Sequence, residues 1–159
     1  VASLTERYTG YKPLTYEVSV AVVGGQFLIY DTANAGKVKV AGAHATNSLG
    51  MAKYDAAPGV EFGATSVAYY NVPINSPTPR LVATCHMGVY DVVNAGDATL
   101  NPGDPVEIAT ADGKPGKTAT GMVGGLAVVG YCIGLVANGA YSTKPVPAGS
   151  VMRLRLGRV

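Results

Sequence analysis

The residues best suited to chemistry in this chain are two histidines, His44 and His86, and two cysteines, Cys85 and Cys132. Their spacing assembles no site. There is no HxH, HExxH or CxxC pattern and no paired His/carboxylate spacing of the kind that holds a metal. Cys85 and His86 are adjacent, so in a strand they point to opposite faces and cannot form the hydrogen-bonded nucleophile and base that thiol catalysis requires. A packed cysteine beside a surface or satisfied histidine is expected. The two cysteines lie far apart in sequence, and buried free thiols are expected over a disulfide. The run Gly121-Met122-Val123-Gly124-Gly125 lacks the strand-to-helix setting and the following acidic residue of a dinucleotide loop, so its glycines read as turn or bulge positions. The chain is expected to be no enzyme, with no catalytic residue, cofactor or metal.

The elements that carry these residues follow from composition. Only 14% of the 159 residues are charged, and there are 21 glycines and 10 prolines. Long amphipathic helices need charged wet faces and exclude Gly and Pro from their interiors, whereas short strands joined by many turns suit this composition. An all-β fold is predicted, in one domain of ordinary size. The net charge of +2 arises without a Lys/Arg block, so nucleic acid is not an expected partner. Thr118 to Thr143 holds no charge, but its glycines and small polar residues mark buried strands with turns, not a membrane span. No charged-then-apolar leader opens the sequence, and its Val-Ala-Ser start fits a cytoplasmic product that has lost its initiator Met.

Residues 1–13 show no sustained period and read as an extended arm. The β domain is expected over 14–159. Alternation begins at Leu14, placing Val18, Val20 and Val22 on one face ahead of Gly24-Gly25. Short strands are expected at Gln26 to Tyr30, Lys37 to Ala41, Ser48 to Tyr54, Leu81 to Met87, Gly88 to Val93 and Val106 to Ile108, a spacing that suggests a barrel or a sandwich. Val72 to Pro79, with three prolines, is the best crossing between possible halves 14–72 and 80–159. Asn101 to Asp104 is a strong turn signal, and Asp112-Gly113 suits the corner of a type I′ hairpin. In Val151 to Leu156, Met152, Leu154 and Leu156 alternate with Arg153 and Arg155, giving one apolar and one cationic face.

Laying the halves over each other aligns Gly24 to Ile29 with Pro102 to Glu107, Leu49 to Ala52 with Val129 to Cys132, and Ala57 to Val60 with Pro147 to Ser150. The second copy carries a longer excursion between Ala137 and Pro147. Two such units would make either two similar β lobes or one pseudo-symmetric barrel. For partner contact, the arm concentrates Arg7, Tyr8, Tyr11 and Lys12 beside Leu4. These residue types offer apolar area with polar tips and suit lying across another protein, while a disordered terminus is the competing reading. Arg153 and Arg155 are a second candidate, against which stands a simple solvated face.

Met87-Gly88-Val89-Tyr90-Asp91 is similar to the Gly-Val-(Ile/Val)-Asp motif of trimeric dUTPases. The following Val92-Val93-Asn94 replaces that family's Tyr-Arg-Gly, however, and its Arg-Ser-Ser phosphate segment is absent. The order of signals as a whole resembles the capsid cement or head decoration proteins of tailed phages. In that family a valine-rich strand, a Gly-Gly or Pro-Gly turn and a strand precede a Leu-Gly-x-Ala or Ile-Gly element and a Pro-Gly turn, and a second unit ends in an apolar/Arg strand. The matching stretches are Tyr16 to Ile29, Asn47 to Gly59, Gly88 to Ile108 and Val128 to Leu156. Pro73 to Pro79 has no counterpart in the pattern.

The resemblance implies a compact β-barrel or β-tulip-like protein made in the host cytoplasm. It would bind the major capsid protein on the outer capsid surface, commonly as a homotrimer, and stabilise the shell. A phage tail or head-completion protein shares the same composition. A carbohydrate-binding module is disfavoured by the absence of Trp, although ten tyrosines could stack on sugars. Few charges leave uncharged and apolar surface exposed, which a capsid lattice would cover.

Overall fold

The computed structural model describes residues 14–58, 80–120 and 125–157. The arm 1–13 and the crossing 72–79 lie outside them. The described residues form an all-β protein. In chain order the strands are β1 Leu14–Val18, β2 Phe27–Tyr30, β3 Lys37–Val40, β4 Gly50–Ala52, β5 Leu81–Cys85, β6 Gly88–Val93, β7 Pro105–Ile108, β8 Pro115–Gly116, β9 Gly130–Ala137, β10 Ala140–Ser142 and β11 Val151–Leu156. A 3-10 turn at Gly125–Ala127 precedes β9. No described helix is long and apolar enough to cross a membrane.

The first five strands close into a barrel in the order β1-β3-β2-β4-β5, sealed because β1 pairs parallel with β3 and antiparallel with β5. The second lobe is a curled sheet in the order β6-β11-β9-β7-β8, with β10 added to β9. Its two edges approach through Ala95 N–H, which donates to the Pro115 carbonyl at 2.9 Å.

The two lobes repeat many of each other's backbone bonds. Val22 and Ala56 exchange two backbone hydrogen bonds, and so do Leu100 and Val146. Gly25 donates to Ala52 as Gly103 donates to Cys132, and Leu49 donates to Leu28 as Val129 donates to Val106. In the ladders, Tyr16 faces Val82 where Val92 faces Met152, and Met51 faces Cys85 where Tyr131 faces Arg155. Even a forbidden contact recurs: a Cβ on Gly50 would sit 2.6 Å from the Cys85 carbonyl oxygen, and one on Gly130 would sit 2.3 Å from that of Arg155. These are the pairings that align Gly24 to Ile29 with Pro102 to Glu107 and Leu49 to Ala52 with Val129 to Cys132. The excursion after Ala137 is the β9–β10 hairpin.

The interiors correspond too. Val18, Leu28, Ala52 and Val82 fill the first barrel. Asn94, Val106, Cys132 and Met152 stand at their places in the second lobe, all buried. Asn94 is the polar exception, and its amide is satisfied by donating to the carbonyls of Ala98 and Val146 while its Oδ1 accepts from Gly96 N–H. Part of the outer face of the first barrel is also buried: Phe27, Ala41, Met51 and Cys85 join the second lobe's core cluster. Burying a side chain such as Phe27 contributes about 2–3 kcal/mol, so the shared cluster binds the lobes into one body.

Two local expectations need correction. Val20 does not join Val18 and Val22 inside; it is 42% exposed while they are buried. β1 ends at Val18, where Ser19 turns its N–H and Oγ onto the Val38 carbonyl, and the bend throws Val20 outward. Asp112-Gly113 is not a type I′ corner. Gly113 has φ 75°, but Asp112 does not share the positive φ that type I′ demands at both positions, and Ala109 N–H closes a four-residue loop on the Lys114 carbonyl. The turn with both central residues at positive φ is Asn138-Gly139, at 51° and 74°, joining β9 to β10.

Candidate interaction surface

β6, β11, β9 and β10 lie side by side and present one broad outer face. Its pattern follows from strand alternation in β11, where Met152, Leu154 and Leu156 point inward to the core and Arg153 and Arg155 point outward. Gly134 in β9 opens the face for an aromatic ring. A Cβ there would meet the Ser142 carbonyl oxygen at 2.3 Å and Tyr141 Cε2 at 3.0 Å, so glycine lets the β10 tyrosine lie flat over the strand. The Tyr141 hydroxyl donates to the Ile133 carbonyl at 3.3 Å.

The two arginines differ in what they offer a partner. Arg153 grips Asp91 of β6 with a two-pronged bond, Nε to Oδ1 at 2.8 Å and Nη2 to Oδ2 at 3.0 Å, and its guanidinium lies 5.0 Å from the Tyr141 ring centre. The pair holds the Asp91 carboxyl below the usual carboxylate range and pushes Arg153 up. Arg153 is therefore already neutralised. Arg155 lies over Tyr131 at 5.7 Å, and among the described residues no carboxylate pairs with it. Of the two arginines it is the one that the described carboxylates leave for a partner, framed by the exposed Val89 and the half-buried Tyr131. Arg7, Tyr8, Tyr11, Lys12 and Leu4 lie outside the described residues.

The groups that could do chemistry are held apart. His86 is exposed at the end of β5 while Cys85 is buried, and both cysteines are free thiols. Burial pushes the Cys132 thiol up. One His/carboxylate pair does exist, which sequence spacing did not reveal: His44 Nδ1 sits 2.8 Å from Glu107 Oε2. Glu107 is 1% exposed and also accepts from Thr118 Oγ1 at 2.9 Å. His44 belongs to the first lobe and Glu107 to the second, so the pair is a rivet between them. Among the described residues no group of three or more His, Cys, Asp or Glu is placed to hold a metal. Two open clefts flank the lobe junction, of about 250 Å³ beside Phe27, His86 and Leu156 and about 440 Å³ beside Met51, Cys85 and Tyr90. The larger is also lined by Lys53, Asp91 and Lys114, but the Cys85 thiol is buried and the Asp91 carboxylate is held by Arg153.

No family model matches this chain, and no curated protein matches it by sequence. Among solved structures it is similar to the N base of the head fiber protein gp8.5 of bacteriophage phi29. The likeness has a TM-score of 0.53 at 13% identity and covers 92% of this chain and 93% of that one. At that identity it is the fold that is shared, and it is shared along nearly the full length of both chains.

Proposed function

We propose that this chain is a structural virion protein of a tailed phage, one that binds the exterior of the capsid and stabilises the shell as a decoration or cement protein. The observation that carries this reading is the fold shared end to end with the base of a phage head fiber. The surface chemistry supports it. The protein leaves Leu14, Val89, Val93, Leu126 and Tyr141 exposed in a chain of which only 14% of residues are charged, as suits a protein that works against other proteins. The buried carboxylate Glu107 is committed to riveting the lobes, not to a reaction.

In this reading the partner is the major capsid protein, and the protein acts as a homo-oligomer, a trimer at threefold positions. Residues 1–13 supply the capsid anchor through Leu4, Arg7, Tyr8, Tyr11 and Lys12, and the Arg153/Arg155 face is left for a neighbouring subunit. Deleting residues 1–12 tests the anchor. A well-buried aromatic contributes about 2 kcal/mol or more, so loss of both tyrosines should weaken binding to undecorated shells at least about tenfold. The melting temperature should fall little, because the two-lobed core lies within residues 14–157. Equal occupancy of shells by truncated and full-length protein at limiting concentration would remove the arm from the account.

A further inference from the structure

The internal repeat leaves one surface of each lobe without its counterpart. Within the chain, the end of the second lobe packs on the outer face of the first. That end carries Tyr90 and Val92 of β6, Ile108 of β7 and the loop ending at Gly113, and the face carries Phe27, Met51 and Cys85. The contact is close: Phe27 N–H donates to the Gly113 carbonyl at 2.7 Å, and His44 N–H donates to that of Ile108 at 2.8 Å.

The strand registers name the equivalent positions. For the second-lobe end they are Leu14, Tyr16, Tyr30 and Gly36 in the first lobe, and for the first-lobe face they are Pro105, Tyr131 and Arg155 in the second. Among the described residues nothing covers either equivalent. Leu14 and Tyr30 are each 54% exposed, whereas their counterparts Tyr90 and Ile108 are half-buried and fully buried. A Cβ on Gly113 would strike Val40 Cγ1 at 2.7 Å, whereas one on Gly36, with a similar φ of 79°, would meet open space. Phe27, Met51 and Cys85 are buried, whereas Pro105 and Tyr131 are half-buried and Arg155 is exposed.

We infer that copies of this chain join head to tail by repeating the internal contact: the first-lobe end bearing Leu14, Tyr16 and Tyr30 docks on the Pro105, Tyr131 and Arg155 face of the next copy. The chemistry fits. Tyr16 and Tyr30 already pack edge to face at 5.8 Å, and they present aromatic surface to a guanidinium that lacks a carboxylate partner among the described residues. Pro105 has no N–H, so the joint forgoes the hydrogen bond that Phe27 makes inside the chain, yet it leaves no donor stranded on the open face. Such a joint is heterologous, and it builds a closed ring when the rotation between copies closes. The contact is a property of the protein alone and does not rest on capsid binding.

Sedimentation of the purified full chain, without shells, tests it. Wild type should form a closed oligomer. Tyr30→Asp spoils the end and leaves the face intact, and Arg155→Glu does the reverse, so each alone should dissociate, with a dissociation constant raised about tenfold or more. Mixed, the two variants retain one good end and one good face between them and should form a 1:1 dimer that stops there. A wild-type chain that stays monomeric at micromolar concentration would overturn the inference, as would variants that assemble like wild type or a mixture that yields no dimer. A photo-crosslinker in place of the Tyr30 ring, in wild-type background, gives a readout independent of variant folding. Crosslinks to β9 or β11 of another copy support the joint. Crosslinks to residues 1–13 of the same copy, or crosslinks only to capsid protein on shells, defeat it.

Discussion

His44 Nδ1 lies 2.8 Å from Glu107 Oε2, across 63 positions of sequence and across the junction of the two lobes. The carboxylate has its second oxygen on Thr118 and almost no solvent. Glu107→Ala should therefore lower the unfolding free energy by about 1–3 kcal/mol, the cost of stranding the groups that faced it. Urea denaturation measures this. His44→Gln, at a third-exposed position, should cost less, and with His86→Gln it should leave shell binding intact. Loss of any hydrolytic turnover in that double variant would point to an enzyme.

Asp31 should contribute to acid sensitivity, as should Asp91, Asp104 and Asp112, whose carboxyls are also lowered. Hydrogen bonds from Ser19 and Asn34 hold the Asp31 carboxyl well below the usual range, against the opposing pull of burial. A folded-state value below the unfolded one means that the stabilisation is fully present above roughly pH 4, the unfolded carboxylate range, and is lost as pH falls through the folded value. Stability measured at several pH values below 4 should fall less steeply in Asp31→Asn than in wild type.

The repeat predicts paired sensitivities. Ala at Gly50 or at Gly130 would drive a Cβ into the carbonyl of Cys85 or Arg155, and each should cost about 1–3 kcal/mol by overpacking. Gly42 has open space around it and no positive φ, so Gly42→Ala should be neutral or slightly stabilising, by about 0.4–1 kcal/mol. Thermal melts of the three variants distinguish these outcomes.

Both thiols are buried, Cys132 with its pKa raised by that burial. Neither should react with an aromatic disulfide reagent in the native state, and both should react promptly in denaturant. Native-state labelling at either position would contradict the packing described.

Much of the fold was legible because it is written in local signals. The Met152/Arg153/Leu154/Arg155/Leu156 alternation set the faces of β11, and the Gly-centred matches near Gly24 and Pro102 carried the register of the two lobes. Val20 misled because alternation continues in sequence past the bend at Ser19, which is set by the distant Val38 carbonyl. Asp112-Gly113 misled because that dipeptide favours a two-residue corner but does not fix loop length, and the type I′ turn went to Asn138-Gly139. On the candidate surface, β11's alternation placed Arg153 and Arg155 outward, but not their partners. Asp91 lies 62 positions from Arg153, and cross-strand pairing alone brings them together. His44 and Glu107 were invisible for the same reason.

The central claim is that this protein sits on the outside of a phage shell, and a cryo-electron microscopy map of purified virions tests it most directly. The account predicts two-lobed β density on the exterior of the capsid at threefold or local threefold positions, absent from shells assembled without this chain and restored when it is added back. Density for this chain in the tail or inside the shell, or virions that lack it altogether, would contradict the account.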